Sequence, residues 1–106
     1  MDSISLSRFY DAFRSGLPEG EKIIDVREKD EFSAGHVPGS ANFPLSSIDR
    51  SLDELRKFRK IYVHCQAGGR AKKASDFLIA NGIDRIVCVA DGGFGDWEKS
   101  GYPVEK

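Results

Sequence analysis

The chain is short of the residues from which several kinds of protein are built. It has two cysteines, two histidines, one methionine and one tryptophan in 106 residues. The cysteines, Cys65 and Cys88, form no C-x-x-C pair and have only His36 and His64 to assist them, so no metal site is expected. An excess of one charge is missing as well. Sixteen Lys and Arg stand against seventeen Asp and Glu, so no global field draws the chain to nucleic acid or to an anionic membrane. No apolar run approaches the ~18 residues of a membrane span, and Met1 to Tyr10 lack the basic start and apolar stretch of a secretory signal. A soluble, cytoplasmic chain with free thiols is the expectation. At 106 residues there is room for one core and not two, so residues 1–106 should form a single domain.

What the chain does have is concentrated in residues 60–70, K-I-Y-V-H-C-Q-A-G-G-R. The apolar run Ile61, Tyr62, Val63 breaks into Cys65, two glycines and an arginine, and a helical pattern follows. This is strand, loop and helix with a thiol at the turn. Gln66, Ala67, Gly68, Gly69, Arg70 and Ala71 are all non-proline, so each keeps an N–H to point inward. Such a loop, opening onto a helix N-terminus, makes an anion nest, and Arg70 adds a positive charge. A cysteine in such surroundings favours its thiolate, the nucleophilic form. Cys88, between Val87 and Val89, reads instead as a small buried hydrophobe.

The rest of the chain alternates helix and strand patterns. Ser7 is expected to cap a short helix with Phe9, Ala12 and Phe13 on one face, ending at Gly16. Residues 23–26 form an apolar run ending in charge, the pattern of a buried parallel strand that delivers Asp25 and Arg27 to its C-terminal edge. A short helix over 28–34, with Phe32 buried, is closed by Gly35, and Pro38-Gly39 suits a type II turn. Residues 41–43 make a small strand. Ser51 to Glu54 fits a capping box before Leu55 and Phe58, residues 71–82 a helix, 86–89 a last strand, and Phe94 and Trp97 a short terminal helix. Alternation of this kind predicts an α/β fold with a parallel sheet covered on both faces, its chemistry at the strands' C-terminal ends.

Several of these segments, taken together and in order, resemble the rhodanese-homology domain: Asp25-Val26-Arg27, Glu31-Phe32, Gly35-His36-Val37-Pro38-Gly39-Ser40-Ala41-Asn42, Cys65-Gln66-Ala67-Gly68-Gly69-Arg70, Gly92-Gly93-Phe94 with Trp97, and Gly101-Tyr102-Pro103-Val104. The resemblance covers nearly the whole chain. It implies a five-stranded parallel sheet with helices on both faces, and a sulfurtransferase that moves sulfane sulfur through a persulfide on Cys65. It further implies that Cys65, Gln66, Ala67, Gly68, Gly69 and Arg70 form the six-residue active-site loop, the last five of them around the substrate. Arg27 matches a position that reaches toward the substrate entrance. The donor would be a small anion such as thiosulfate, or a persulfide. The acceptor would be cyanide, a thiol or a protein partner in a sulfur relay, and no cofactor is required. Ala71 departs from the pattern, standing where many members carry serine.

Two alternatives compete. Val63-His64-Cys65, followed by Ala67-Gly68 and an arginine, also resembles the signature of cysteine-dependent phosphatases and arsenate reductases, but those place five residues between cysteine and arginine where this chain has four. A persulfide carrier or redox-sensing module with little turnover of its own would use the same residues. His36, His64, Phe94 and Trp97 read as structural, Asp25 as an anchor for loop backbone or a partner for an arginine, and Lys72 and Lys73 as helix surface.

Overall fold

A computed structural model describes residues 2–106. Five strands, β1 (Asp2–Ser5), β2 (Glu21–Asp25), β3 (Ala41–Asn42), β4 (Lys60–His64) and β5 (Ile86–Asp91), form one sheet in the order β1-β5-β4-β2-β3, with every pair parallel. The helices are α1 (Leu6–Ser15), α2 (Lys29–Ala34), α3 (Leu52–Leu55), α4 (Gly69–Ala80) and α5 (Phe94–Lys99), and a 3-10 segment, Leu45–Ser51, precedes α3.

Strand periodicity divides the apolar residues between two layers. Ile24, Ile61, Val63, Ile86 and Cys88 face a core closed by Leu55, Ala71, Ala74 and Leu78. Their neighbours Ile23, Tyr62, Val87 and Val89 face a second core built around Phe9, Phe94 and Trp97. A strand buried on both sides must be apolar at successive positions, which is why these runs do not alternate with polar residues.

The connections place the chemistry. From β2 the chain moves outward to β3, returns to β4 on the other side of β2, and then moves away to β5. Successive connections diverge at β2 and β4, so a crevice opens beyond the carboxyl ends of this pair. Asp25 closes β2 and pairs in register with His64, the last residue of β4, and Cys65 follows directly.

One strand is unexpected, and three local expectations are corrected. Asp2–Ser5 is a strand that its sequence does not announce: it lies at the sheet edge, pairs only with β5, and offers a single apolar residue, Ile4. The cap of α1 is Ser5 and not Ser7, with the Ser5 hydroxyl accepting from the Arg8 N–H at 3.2 Å. Ser51 makes no capping bond, because the 3-10 segment enters α3 already helical and leaves no extended cap residue. Phe32 is half-buried, its ring stacked on His36 at 3.8 Å between centroids.

Candidate active site

Cys65 leaves the middle strand of the sheet and turns at once into the loop that starts α4. Its side chain is buried, and Sγ accepts the backbone N–H of Gly68 at 3.0 Å and of Ala71 at 3.3 Å. Gly68 caps α4 and Ala71 lies in its first turn, so the sulfur sits at the positive pole of a twelve-residue helix. The loop can tighten this far because of Gly68. Its φ of +114° is left-handed, and a Cβ there would stand 2.5 Å from the Ala90 carbonyl oxygen.

A second clamp holds the loop from behind. The Phe94 N–H donates to the Cys65 carbonyl at 2.8 Å and the Gly95 N–H to the Gln66 carbonyl at 3.2 Å. Since a trans peptide points its N–H opposite its C=O, fixing those two carbonyls toward α5 turns the N–H groups of Gln66 and Ala67 away from α5. Gly93 makes the approach feasible, because a Cβ on it would collide with the Cys65 and Gln66 backbone.

The two arginines are both engaged by carboxylates. Arg27 is buried. Its Nε and Nη2 donate to Asp25 at 2.8–3.1 Å, Nη2 also donates to the Gly35 carbonyl at 2.7 Å, and Nη1 reaches Gln66 Oε1 at 3.1 Å. Its guanidinium lies 4.3 Å from the centre of the Phe94 ring. Arg70 donates to both oxygens of Glu31, at 2.6 and 3.0 Å. Those bonds hold the Glu31 carboxyl down to about 2, assisted by the Glu28 N–H and opposed by partial burial. A cavity of about 200 Å³ adjoins the loop, lined by Arg27, Glu31, Gly35, Gln66, Phe94 and Glu98.

The structure thus gathers Cys65, Gln66, Ala67, Gly68, Gly69, Arg70 and Arg27 at one end of the sheet, with Gln66, Ala67 and Gly69 exposed on the rim. Asp25 is the partner of Arg27, and its Oδ1 also accepts the Arg27 backbone N–H at 3.0 Å. His36 bonds the Phe32 carbonyl, and Phe94 and Trp97 are core. His64 is buried behind the loop. Its Nε2 lacks a hydrogen-bond partner and lies 3.9 Å from Asp25, and burial pushes its pKa down against the pull of that carboxylate. Cys88 is also buried, and its thiol is pushed up by burial. Sequence reasoning alone misses the pairing of Glu31 with Arg70 and the clamp from α5, because both join segments far apart in the chain.

Among the described residues there is no cluster of three side chains able to hold a metal ion, and no helix is long and apolar enough to cross a membrane.

The family model for the rhodanese-like domain matches residues 8–100, and the chain belongs to that family. It is 38% identical over 85 residues to the uncharacterized protein YqhL of Bacillus subtilis, a match that covers 80% of this chain and 66% of that protein. It is 32% identical over 87 residues to thiosulfate sulfurtransferase GlpE of Actinobacillus pleuropneumoniae serotype 7, covering 82% of this chain and 80% of GlpE. A putative sulfur carrier protein of Bacillus subtilis, YrkF, is 30% identical, and the match spans 48% of its length. Among solved structures, a rhodanese-related protein of Thermoplasma volcanium aligns with a TM-score of 0.82 at 32% identity, covering 99% of this chain and 98% of that one.

Proposed function

We propose that this protein is a sulfurtransferase that carries sulfane sulfur as a persulfide on Cys65. The observation that carries the reading is the position of Sγ, with two backbone N–H groups at the N-terminus of α4 on it at 3.0 and 3.3 Å. Similarity to a thiosulfate sulfurtransferase supports it.

The chemistry follows from that geometry. The Cys65 thiolate attacks the outer sulfur of thiosulfate; a new S–S bond forms, the donor's S–S bond breaks, and sulfite departs with the bonding electrons. With a persulfide donor the leaving group is the donor's thiolate. The terminal sulfur, now anionic, is stabilised by loop N–H groups already oriented before reaction. A thiolate or cyanide acceptor then attacks that sulfur. It leaves with the acceptor as a persulfide or thiocyanate, and the Cys65 thiolate is restored. Residues 1–106 act as one rhodanese-like unit, and the two free thiols support a reducing, cytoplasmic setting.

The carrier alternative uses the same persulfide and is favoured by similarity to a putative sulfur carrier, so turnover rate separates the two. The phosphatase alternative needs a general acid, and Asp91 or Asp96 would have to serve; Asp91 is exposed at the end of β5, and Asp96 accepts the Gly93 N–H at 3.3 Å. The test is intact-mass analysis after exposure to thiosulfate or a persulfide. A gain of one sulfur, about 32 Da, is expected in the wild type and not in Cys65→Ser. Absence of the adduct with every donor would falsify the reading.

A further inference from the structure

We propose that Glu31 is a positioning residue that sets the charge class of the donor. By holding Arg70 in a neutral pair, it turns the site away from free dianions such as thiosulfate and toward persulfides whose charge is offset by an ammonium group. The inference rests on the sulfurtransferase reading above and concerns which donor that site accepts.

The argument begins with the two arginines beside the loop. An arginine aimed at an anionic substrate keeps its fork free of other anions; neither of these does. The Arg27 fork closes on Asp25 at 2.8–3.1 Å, and the Arg70 fork closes on Glu31 at 2.6 and 3.0 Å. The Glu31 carboxylate is held from a second side, where Oε1 accepts the Glu28 N–H at 3.0 Å. Its acidity keeps it ionised throughout the range in which enzymes of this kind operate.

The adjoining cavity continues the pattern. The cavity meets the loop at Gln66, directly after Cys65, and we take it as the space for the part of the donor beyond the transferred sulfur. Of its lining charges, Arg27 is paired with Asp25 and Glu31 with Arg70, which leaves the exposed Glu98 as the unpaired one. Among the described residues Glu98 has no cation within ion-pair distance. A sulfonate placed there meets like charge, and an ammonium meets opposite charge. The Gly68 and Ala71 N–H groups do not offset this, because they donate to Cys65 Sγ itself and not to the donor's leaving group.

The test compares thiosulfate with cysteamine persulfide in the wild type and in Glu31→Gln, which keeps an oxygen for the Glu28 N–H and removes the charge. The wild type should use cysteamine persulfide with the higher kcat/KM. In Glu31→Gln the ratio of the two kcat/KM values should move toward thiosulfate by about five-fold or more. An unmoved ratio, or a wild type that prefers thiosulfate, overturns the inference, and the wild-type arm stands even where the variant folds poorly. A second arm uses no chemistry. Sulfate is titrated into Cys65→Ser protein, with and without Glu31→Gln, and followed by the amide shifts of Gly68 and Ala71. The second change should tighten binding about five-fold. Equal binding, or none in either protein, overturns the inference. Where the sulfate arm succeeds but no donor yields a persulfide in the wild type, the sulfurtransferase reading fails and the charge role of Glu31 stands.

Discussion

Asp25 and Arg27, two residues apart at the end of β2, form a buried forked ion pair that ties the second strand to the loop of the fourth. Both carboxylate oxygens are engaged by Arg27, whose remaining donors reach Gly35 and Gln66. The pair is 0% and 3% exposed, so neither charge can turn to water when the other is removed. Replacing one partner alone leaves an uncompensated charge in the interior. Asp25→Ala should therefore destabilise the fold by about 3–5 kcal/mol, read as a lowered urea midpoint. Asp25→Ala with Arg27→Met should cost less than the sum of the single changes, since no lone charge remains. A loss under about 1 kcal/mol for Asp25→Ala would show that the pair is reached by solvent.

His64 gives the fold a pH dependence with a defined sign. Its folded pKa lies below the unfolded value because burial disfavours the charged ring, so the folded state holds it neutral. Below about pH 6.5 the unfolded chain binds the proton that the folded chain refuses, and stability falls as the pH drops. The slope approaches about 1.4 kcal/mol per pH unit until the folded pKa is reached. Glu31 acts in a lower window: its contribution is fully present above about 4.5 and is lost as the pH falls toward about 2. Urea midpoints between pH 7 and 5 should therefore decline in the wild type and flatten in His64→Gln. Parallel declines in both proteins would assign the effect elsewhere.

Cys88 separates the two thiols by function. It is wholly buried among Val63, Ala71, Ala74 and Ile86 in the core behind the loop. Cys88→Ser puts a hydroxyl into that core and should cost about 1–3 kcal/mol of stability while most persulfide formation at Cys65 survives. Cys65→Ser should lose transfer entirely. Intact mass and thermal melting of the two variants check both halves of the expectation, and a reversed pattern would name Cys88 as the nucleophile.

The layers of the sheet can be read from runs such as Ile61, Tyr62 and Val63, because a strand covered on both sides needs apolar residues at every step. The reactive loop can be read as well, since its thiol, glycines and arginine are contiguous. Neither reason applies to β1, whose residues Asp2, Ser3 and Ser5 become a strand only because β5 supplies the hydrogen bonds from the other end of the chain. Arg70 and Glu31 stand 39 positions apart, and no periodicity connects them. Glu31 shows in sequence only as part of the Glu31-Phe32 motif. Its meeting with Arg70 is a product of the β2–β4 crevice. The 3-10 entry into α3 is hidden for a related reason, because Ser51 to Glu54 has the letters of a cap and lacks the extended backbone that a cap requires.

Gly93 offers the sharpest test that the loop depends on its clamp. The residue is extended, with φ at −177°, so an alanine is acceptable to its own backbone. The obstacle is space: an added Cβ would run into the Cys65 carbonyl and the Gln66 backbone. Gly93→Ala must therefore push α5 from the loop and lengthen the Phe94 and Gly95 hydrogen bonds that orient it. Overpacking of this kind should cost about 1–3 kcal/mol. The consequence for chemistry should be larger than for folding, because a displacement of about 1 Å in a positioning element can lower a rate about 100-fold. Gly69→Ala supplies the control. A Cβ there meets nothing within 4 Å, and alanine suits the first turn of α4. Thermal melts and persulfide formation rates measured on both variants should show loss in Gly93→Ala and near wild-type behaviour in Gly69→Ala. Equal rates in the two would mean that the α5 contacts do not hold the loop N–H groups in place, and that the loop is organised by α4 alone.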